Sequence, residues 1–295
     1  DYALRRLKLA AIEIIGAAES PDDSADSIIA RAESSILAIN DRATAATTIN
    51  MHTLMQKTLE RIDARHSGRA ARGVATGIAD LDVLTGGLHP GEFSILAARP
   101  SVGKTALAIG IARHVAVEVR KPVLFCSLEQ SDTEIGERLL VQDCHVDSWH
   151  LRTGTISKSE RDKLLDSKDR LWHGLMHTDS APRQTVLRIG ANARRIKKRD
   201  GLGLVVIDYL QLIEPENRKD PRYEQVGLIS RRLKQLARDL AVPVLALAQL
   251  NLATEDRSDQ KPRLSDLRES GSLEMDADLV MLMHRAKENK GGADE

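Results

Sequence analysis

Apolar positions in the first 65 residues recur at helical spacing. Leu4, Leu7, Ala11, Ile14 and Ile15 predict a helix over 1–18, and the polar run Glu19–Ser24 breaks it. Ile28, Ile29, Ala32, Ile36 and Ile39 predict a second helix over 25–39. An Ala/Thr/Asn-rich stretch over 40–50 reads as a linker, and Leu54, Thr58 and Ile62 predict a third helix over Met51–Arg65. Ser67–Gly73 is basic and flexible in composition. Near residue 74 the pattern changes. Short apolar runs at Phe93–Ala97, Val123–Ser127, Leu175–Thr178, Leu204–Ile207, Val244–Leu247 and Leu279–Met283 alternate with amphipathic stretches at 104–119, 132–142, 185–199 and 223–240. Strands alternating with helices predict an α/β fold: a mostly parallel sheet flanked by helices, preceded by an α-helical tail and linker. No repeat of solenoid period interrupts this order.

Composition narrows the setting. Of 295 residues, 43 are Lys or Arg and 43 are Asp or Glu, so formal charge is zero. That excludes a generally basic nucleic-acid binder but leaves room for a local basic channel. No apolar run nears the roughly 20 residues of a membrane span, and Arg5, Arg6, Lys8 and Glu13 interrupt any secretory signal. Two cysteines, Cys126 and Cys144, make no disulfide framework, which points to a reducing, cytosolic setting. With two Trp, three Tyr and two Phe, aliphatic side chains must fill the core. Residue 1 is Asp rather than Met, from which a fragment or a processed product is expected.

The densest chemistry lies at Ala98, Arg99, Pro100, Ser101, Val102, Gly103, Lys104 and Thr105. This is a P-loop pattern with Ala98 in the place of the first Gly, between an apolar strand and a helix. Gly103 lets the backbone approach a phosphate, amides at the new helix start point at the anion, Lys104 neutralises it, and Thr105 offers a hydroxyl to Mg²⁺. Leu204–Asp208, four apolar residues ending in an acid, has the Walker B form; by itself the pattern is common, and it gains weight from the upstream loop. Glu129 follows the strand at Val123–Leu128 and emerges on the same edge. Spacing leaves two roles open for it: orienting an attacking water, or acting as a charge beside the capping box Ser131–Glu134. Gln249, at the end of the next strand, reads as a γ-phosphate sensor or as a polar strand end.

The ordered set AARPSVGKT (97–105), FCSLEQ (125–130), VVIDYLQL (205–212), PVLALAQLN (243–251) and SDLRESGSLEMDADL (265–279) resembles the C-terminal ATPase domain of DnaB-type replicative helicases, as does TGIADLDVLTGGLHPGE (76–92). The resemblance covers about 74–285; residues 1–73 are similar to the last helices of the family's N-terminal domain and its linker helix. It implies a RecA-like ATPase domain over 74–295, a linker region over 19–73, and over 1–18 the closing helix of the N-terminal domain. It implies a homohexameric ring that uses ATP and Mg²⁺ to move 5′ to 3′ on single-stranded DNA and unwind duplex at a fork. Primase and a loader are the implied partners, and the cytoplasm, at the replisome, is the implied location. Lys104 and Thr105 take the Walker A roles, Glu129 the catalytic glutamate, Asp208 the Walker B acid, and Gln249 the coupling position. Arg268, Glu269 and Gly271 match a loop that grips the DNA backbone, and Arg222 falls in the other central loop. Leu252 departs from the Arg common after QLN. The family's trans-acting arginine segment has no counterpart before Glu295, so this chain is expected to bind ATP and turn it over poorly. The competing functions are a RecA-type repair ATPase and a hydrolysis-deficient assembly fragment.

Acids surround Arg268, so DNA contact there must rest on backbone amides and one Arg, repeated around a ring. The alternation of Glu274, Asp276 and Asp278 lacks a Ca²⁺-loop pattern. The basic run Arg194–Arg199 reads as a solvated helix face. Scarce aromatics leave DNA binding to phosphate contacts. The helix over 25–39 fits packing on its own domain, whereas the resemblance implies docking onto a neighbouring subunit.

Overall fold

A computed structural model describes residues 2–19, 24–44, 49–66, 73–216, 218–251, 261–267 and 271–285. Three helices come first: α1 (Tyr2–Ala18), α2 (Ala25–Thr44) and α3 (Met51–His66). The α/β body then runs α4 (Ala79–Thr85), β1 (Phe93–Ala98), α5 (Lys104–Arg113), β2 (Val123–Ser127), α6 (Asp132–Cys144), α7 (Ser148–Thr153), α8 (Lys158–Leu171), β3 (Met176–Asp179), α9 (Val186–Asp200), β4 (Leu204–Asp208), α10 (Arg222–Leu240), β5 (Val244–Gln249), α11 (Gly271–Asp276) and β6 (Leu279–Met283).

The six strands form one parallel sheet in the order β3-β2-β4-β5-β1-β6. Alternation along each strand divides the core into two layers. Phe93, Ile95, Leu124, Cys126, Val205, Ile207, Val244 and Ala246 pack under α9 and α10. Leu96, Val123, Phe125, Leu204, Val206, Leu245 and Leu247 pack under α5 and α6. Both Phe side chains are fully buried, whereas Trp149 and Trp172 are 56% and 72% exposed. The aliphatic core follows from this division of labour.

The expected strands are present; β1 and β4 run one residue further than the pattern suggested, β5 runs two further, and β3 is shifted by one residue, to Met176–Asp179. The helix over 104–119 is instead α5 continued by a π-helical turn, His114–Glu118. Two helices that the periodicity missed, α7 and α8, lie between α6 and β3. Only Ser167 of α8 is buried, so no apolar stripe announced it; its capping box, Ser157 with Glu160, is the signal that could have.

Alpha2 packs on α1 and on α9 of the same chain, with Ile28 and Ala32 facing Leu187 and Arg232 across a shared cleft. These are contacts within one chain; docking of the helix onto a neighbouring subunit is a separate matter. On α3 the apolar residues Met51, Leu54, Met55, Leu59 and Ile62 are exposed. Among the described residues no helix is long and apolar enough to cross a membrane.

Candidate functional site

Parallel strands bring their carboxyl ends to one edge, and register decides which residues meet there. Ala98 of β1 pairs with Gln249 of β5, and Ser127 of β2 pairs with Asp208 of β4. A cleft of about 420 Å³ opens above these ends. Its walls include Lys104, Thr105, Glu129, Asp208's neighbour Tyr209, and Gln249, along with Ala98, Arg99, Pro100, Ser101 and Gly103 of the loop. Val102 belongs to the same turn without lining the cleft; its N–H donates to the Arg99 carbonyl at 3.4 Å. The turn requires positive φ at Ser101 (64°) and at Gly103 (111°), which leads straight into α5. At Gly103 a side chain would be strained.

Asp208 is 1% exposed, and its Oδ2 accepts the Thr105 hydroxyl at 2.7 Å. Its Oδ1 is buried and makes no hydrogen bond; the nearest cation, Lys104 Nζ, stands 3.9 Å away. Burial raises the Asp208 carboxyl above the usual range, opposed by the Thr105 hydroxyl and the charges of Lys104 and Arg138. Burial likewise lowers Lys104, opposed by Asp208 and Glu129. The Lys104 ammonium also lies over the Tyr209 ring, 4.4 Å from its centre. A buried carboxylate oxygen without a donor, beside a hydroxyl and an ammonium, suits a divalent cation and a phosphate chain.

Glu129 is held by a local turn. The Ser127 hydroxyl donates to the Gln130 carbonyl at 2.7 Å and accepts the Gln130 N–H at 3.0 Å. The Leu128 N–H donates to the Asp208 carbonyl at 2.7 Å. These bonds fix the segment between β2 and α6 against the Walker B strand, with Glu129 facing the cleft. Gln249 is tied to the same edge, its N–H donating to Gln211 Oε1 at 3.4 Å.

Arg138 of α6 also lines the cleft, and sequence reasoning missed it. It stands one helical turn beyond buried Ile135, but nothing in the spacing says which way α6 turns its polar side. The remaining candidates lie elsewhere. Arg222 opens α10, donating to Gln225 Oε1 at 3.2 Å and to the Gln211 carbonyl. Gly271 opens α11, with open space where a Cβ would be. Arg268, Glu269 and Leu252 lie outside the described residues. Asp278, one of the alternating acids, accepts the Phe93 N–H at 2.7 Å and pairs with Lys234, so it clamps β6 to β1 and α10.

A family model, the DnaB-like helicase C terminal domain, matches residues 73–295. The chain belongs to this family. It is 38% identical over 283 residues to the replicative DNA helicase DnaB of Leifsonia xyli subsp. xyli, covering 96% of this chain and 62% of that protein. It is 37% identical over 284 residues to the replicative DNA helicase DnaC of Bacillus subtilis, covering 96% and 63%. The chain thus spans somewhat under two thirds of the length of these DnaB-family relatives. Among solved structures it resembles an isolated ATPase domain, with TM-score 0.74 and 34% identity over 78% of this chain and 83% of that one. It also resembles a DnaB-like replicative helicase described with its interactions with primase, with TM-score 0.81 and 31% identity over 98% and 68%. The parallel sheet flanked by helices is the RecA-like ATPase architecture of these DnaB-like neighbours.

Proposed function

We propose that this chain is the motor portion of a replicative DNA helicase, hydrolysing ATP with Mg²⁺ to move 5′ to 3′ along single-stranded DNA. The observation that carries the reading is the Thr105–Asp208 hydrogen bond at 2.7 Å, with Asp208 Oδ1 buried and unbonded beside Lys104. Thr105 and Asp208 would hold the cation, which would supply positive charge to offset that of the phosphates. The amides of the 98–105 turn and the Lys104 ammonium would seat those phosphates, and Arg138, which also lines the cleft, adds a second positive charge. Glu129 accepts a proton from the attacking water, held for that task by the Ser127–Gln130 turn. Gln249, bonded through Gln211 to the segment after β4, passes the state of the cleft toward Arg222 and the central loops.

In this proposal residues 74–295 are the ATPase domain, 19–73 the linker region and 1–18 the last helix of a preceding domain. Six copies form the ring, and single-stranded DNA runs past Arg222, Arg268, Glu269 and Gly271. Primase and a helicase loader are the further partners, in the cytoplasm at the replisome. The exposed apolar stripe of α3 suits contact with the next copy. The test is a forked duplex with a free 5′ tail: strand separation that needs ATP and vanishes with Lys104→Ala supports the reading. ATP turnover stimulated by single strands, with the fork left intact, would place the chain among repair-type ATPases instead.

A further inference from the structure

Sharing no lining residue with the nucleotide cleft, a second hollow of about 430 Å³ lies at the outer margin of the sheet. Beta3 ends the sheet and, among the described residues, pairs only with β2. Its outer backbone edge is therefore open to another strand. Leu124 pairs with His177 and Cys126 with Asp179, and Leu124 and Cys126 belong to the layer beneath α9. His177 and Asp179 consequently face α9 and floor the hollow.

The wall is a single face of α9. Arg188, Asn192, Arg195 and Arg199 line it, at spacings of four, three and four residues. From Arg188 to Arg199 the face runs about 16 Å at 1.5 Å per residue. Asp179 on the floor and Asp200 beside the hollow are already engaged. Asp179 accepts Asn192 Nδ2 at 2.6 Å and the Ala181 N–H at 3.2 Å, and Asp200 pairs with Arg199 at 2.7 Å and lies 3.4 Å from His177. Among the described residues neither Arg188 nor Arg195 has a carboxylate within ion-pair distance.

We propose that this hollow binds an extended acidic peptide of a partner protein, which adds to β3 as an outer strand and turns alternate carboxylates toward Arg188, Arg195 and Arg199. Side chains at i and i+2 of a strand stand about 6.6 Å apart on one face. Three such carboxylates span about 13 Å, which the arginine face covers. Main-chain pairing along the edge gives affinity, and the arginines select the charge. A nucleic-acid strand shares the charge but has no use for the open edge, and no Phe, Tyr or Trp lines the hollow as a stacking platform.

The test is calorimetric titration of the full chain with an acetylated seven-residue peptide alternating Glu and Val. Two N-methylated forms, one for each alternate set of amides, complete the series. The expected result is binding that falls at least tenfold in Arg188→Gln/Arg195→Gln, while ATP affinity at the Lys104 cleft is unchanged. One methylated form should bind and the other should not, because a strand turns alternate amides to its neighbour. Equal binding by both methylated forms would reduce the interaction to bulk charge and overturn the proposal. So would a double variant that binds like the parent, or a 12-nucleotide thymidine strand that loses affinity in the double variant while the peptide does not bind at all.

Discussion

Lys104→Ala takes the ammonium out of the cleft and leaves the turn's backbone in place. A charge-assisted contact contributes about 1.5–3 kcal/mol, so ATP affinity is expected to fall roughly 10- to 100-fold by calorimetry, with the thermal midpoint of the unliganded chain unmoved. Glu129→Gln should spare that affinity and reduce single-strand-stimulated turnover by about 10²–10⁴. Asp208 adds a pH dependence. Its carboxyl is raised by burial, so it gains a proton earlier on acidification than an ordinary aspartate does. A divalent cation needs the ionised form, so Mg²⁺-dependent ATP binding should weaken as pH falls through the raised value and persist above it. Asp208→Asn should flatten the dependence; affinity independent of pH in the parent would contradict it. At this scale the sequence was informative wherever residues were contiguous or closed a strand. Lys104 and Thr105 sit in one eight-residue pattern, and Asp208 and Gln249 close apolar runs. Arg138 was illegible because helix facing, a tertiary property, brings it to the cleft.

Elements were legible to the extent that they bury an apolar side. The strands of the central sheet announced themselves because both faces are covered, and the ends of β4 and β5 were lost because Asp208 and Gln249 do not extend the apolar run they end. Alpha7 and α8 escaped because their surface is mostly polar. What joins them is chemistry: His150 Nδ1 lies 2.6 Å from Glu160 Oε1, whose other oxygen accepts the Ser157 N–H at 2.8 Å. The hydrogen bond to Glu160 raises His150, and the same bond brings Glu160 down to about 2. The pair's stabilisation is therefore complete below the ordinary histidine value near 6.5 and is lost as pH rises through His150's raised value. On the acid side it is lost as pH falls toward about 2. An NMR titration should find His150 above the ordinary value and restored to it in Glu160→Gln; an unchanged value in the variant would remove the pair from the account.

For the whole molecule, zero net charge coexists with local basic surfaces, of which the α9 face is the clearest. The composition is neutral, but folding sorts charge onto faces, a property no count of residues contains. If single-stranded DNA is held through phosphates, its affinity should be neutral to sequence, and the logarithm of the binding constant should fall with that of salt by about 0.7 per phosphate contact. A flat salt dependence would count against the central-loop assignment. The burial pattern of the aromatics has its own effect on how the molecule is observed. Both Phe side chains are inside the sheet layers, while the only two indoles, Trp149 and Trp172, sit on α7 and just past α8 in contact with water. Intrinsic emission is thus a local gauge of that appendage: it should start red-shifted in the folded chain and change little when the sheet melts. A melt followed by emission and one followed by far-ultraviolet dichroism should disagree in amplitude, and an indole introduced in place of Phe125 would be the sensor that reads the interior.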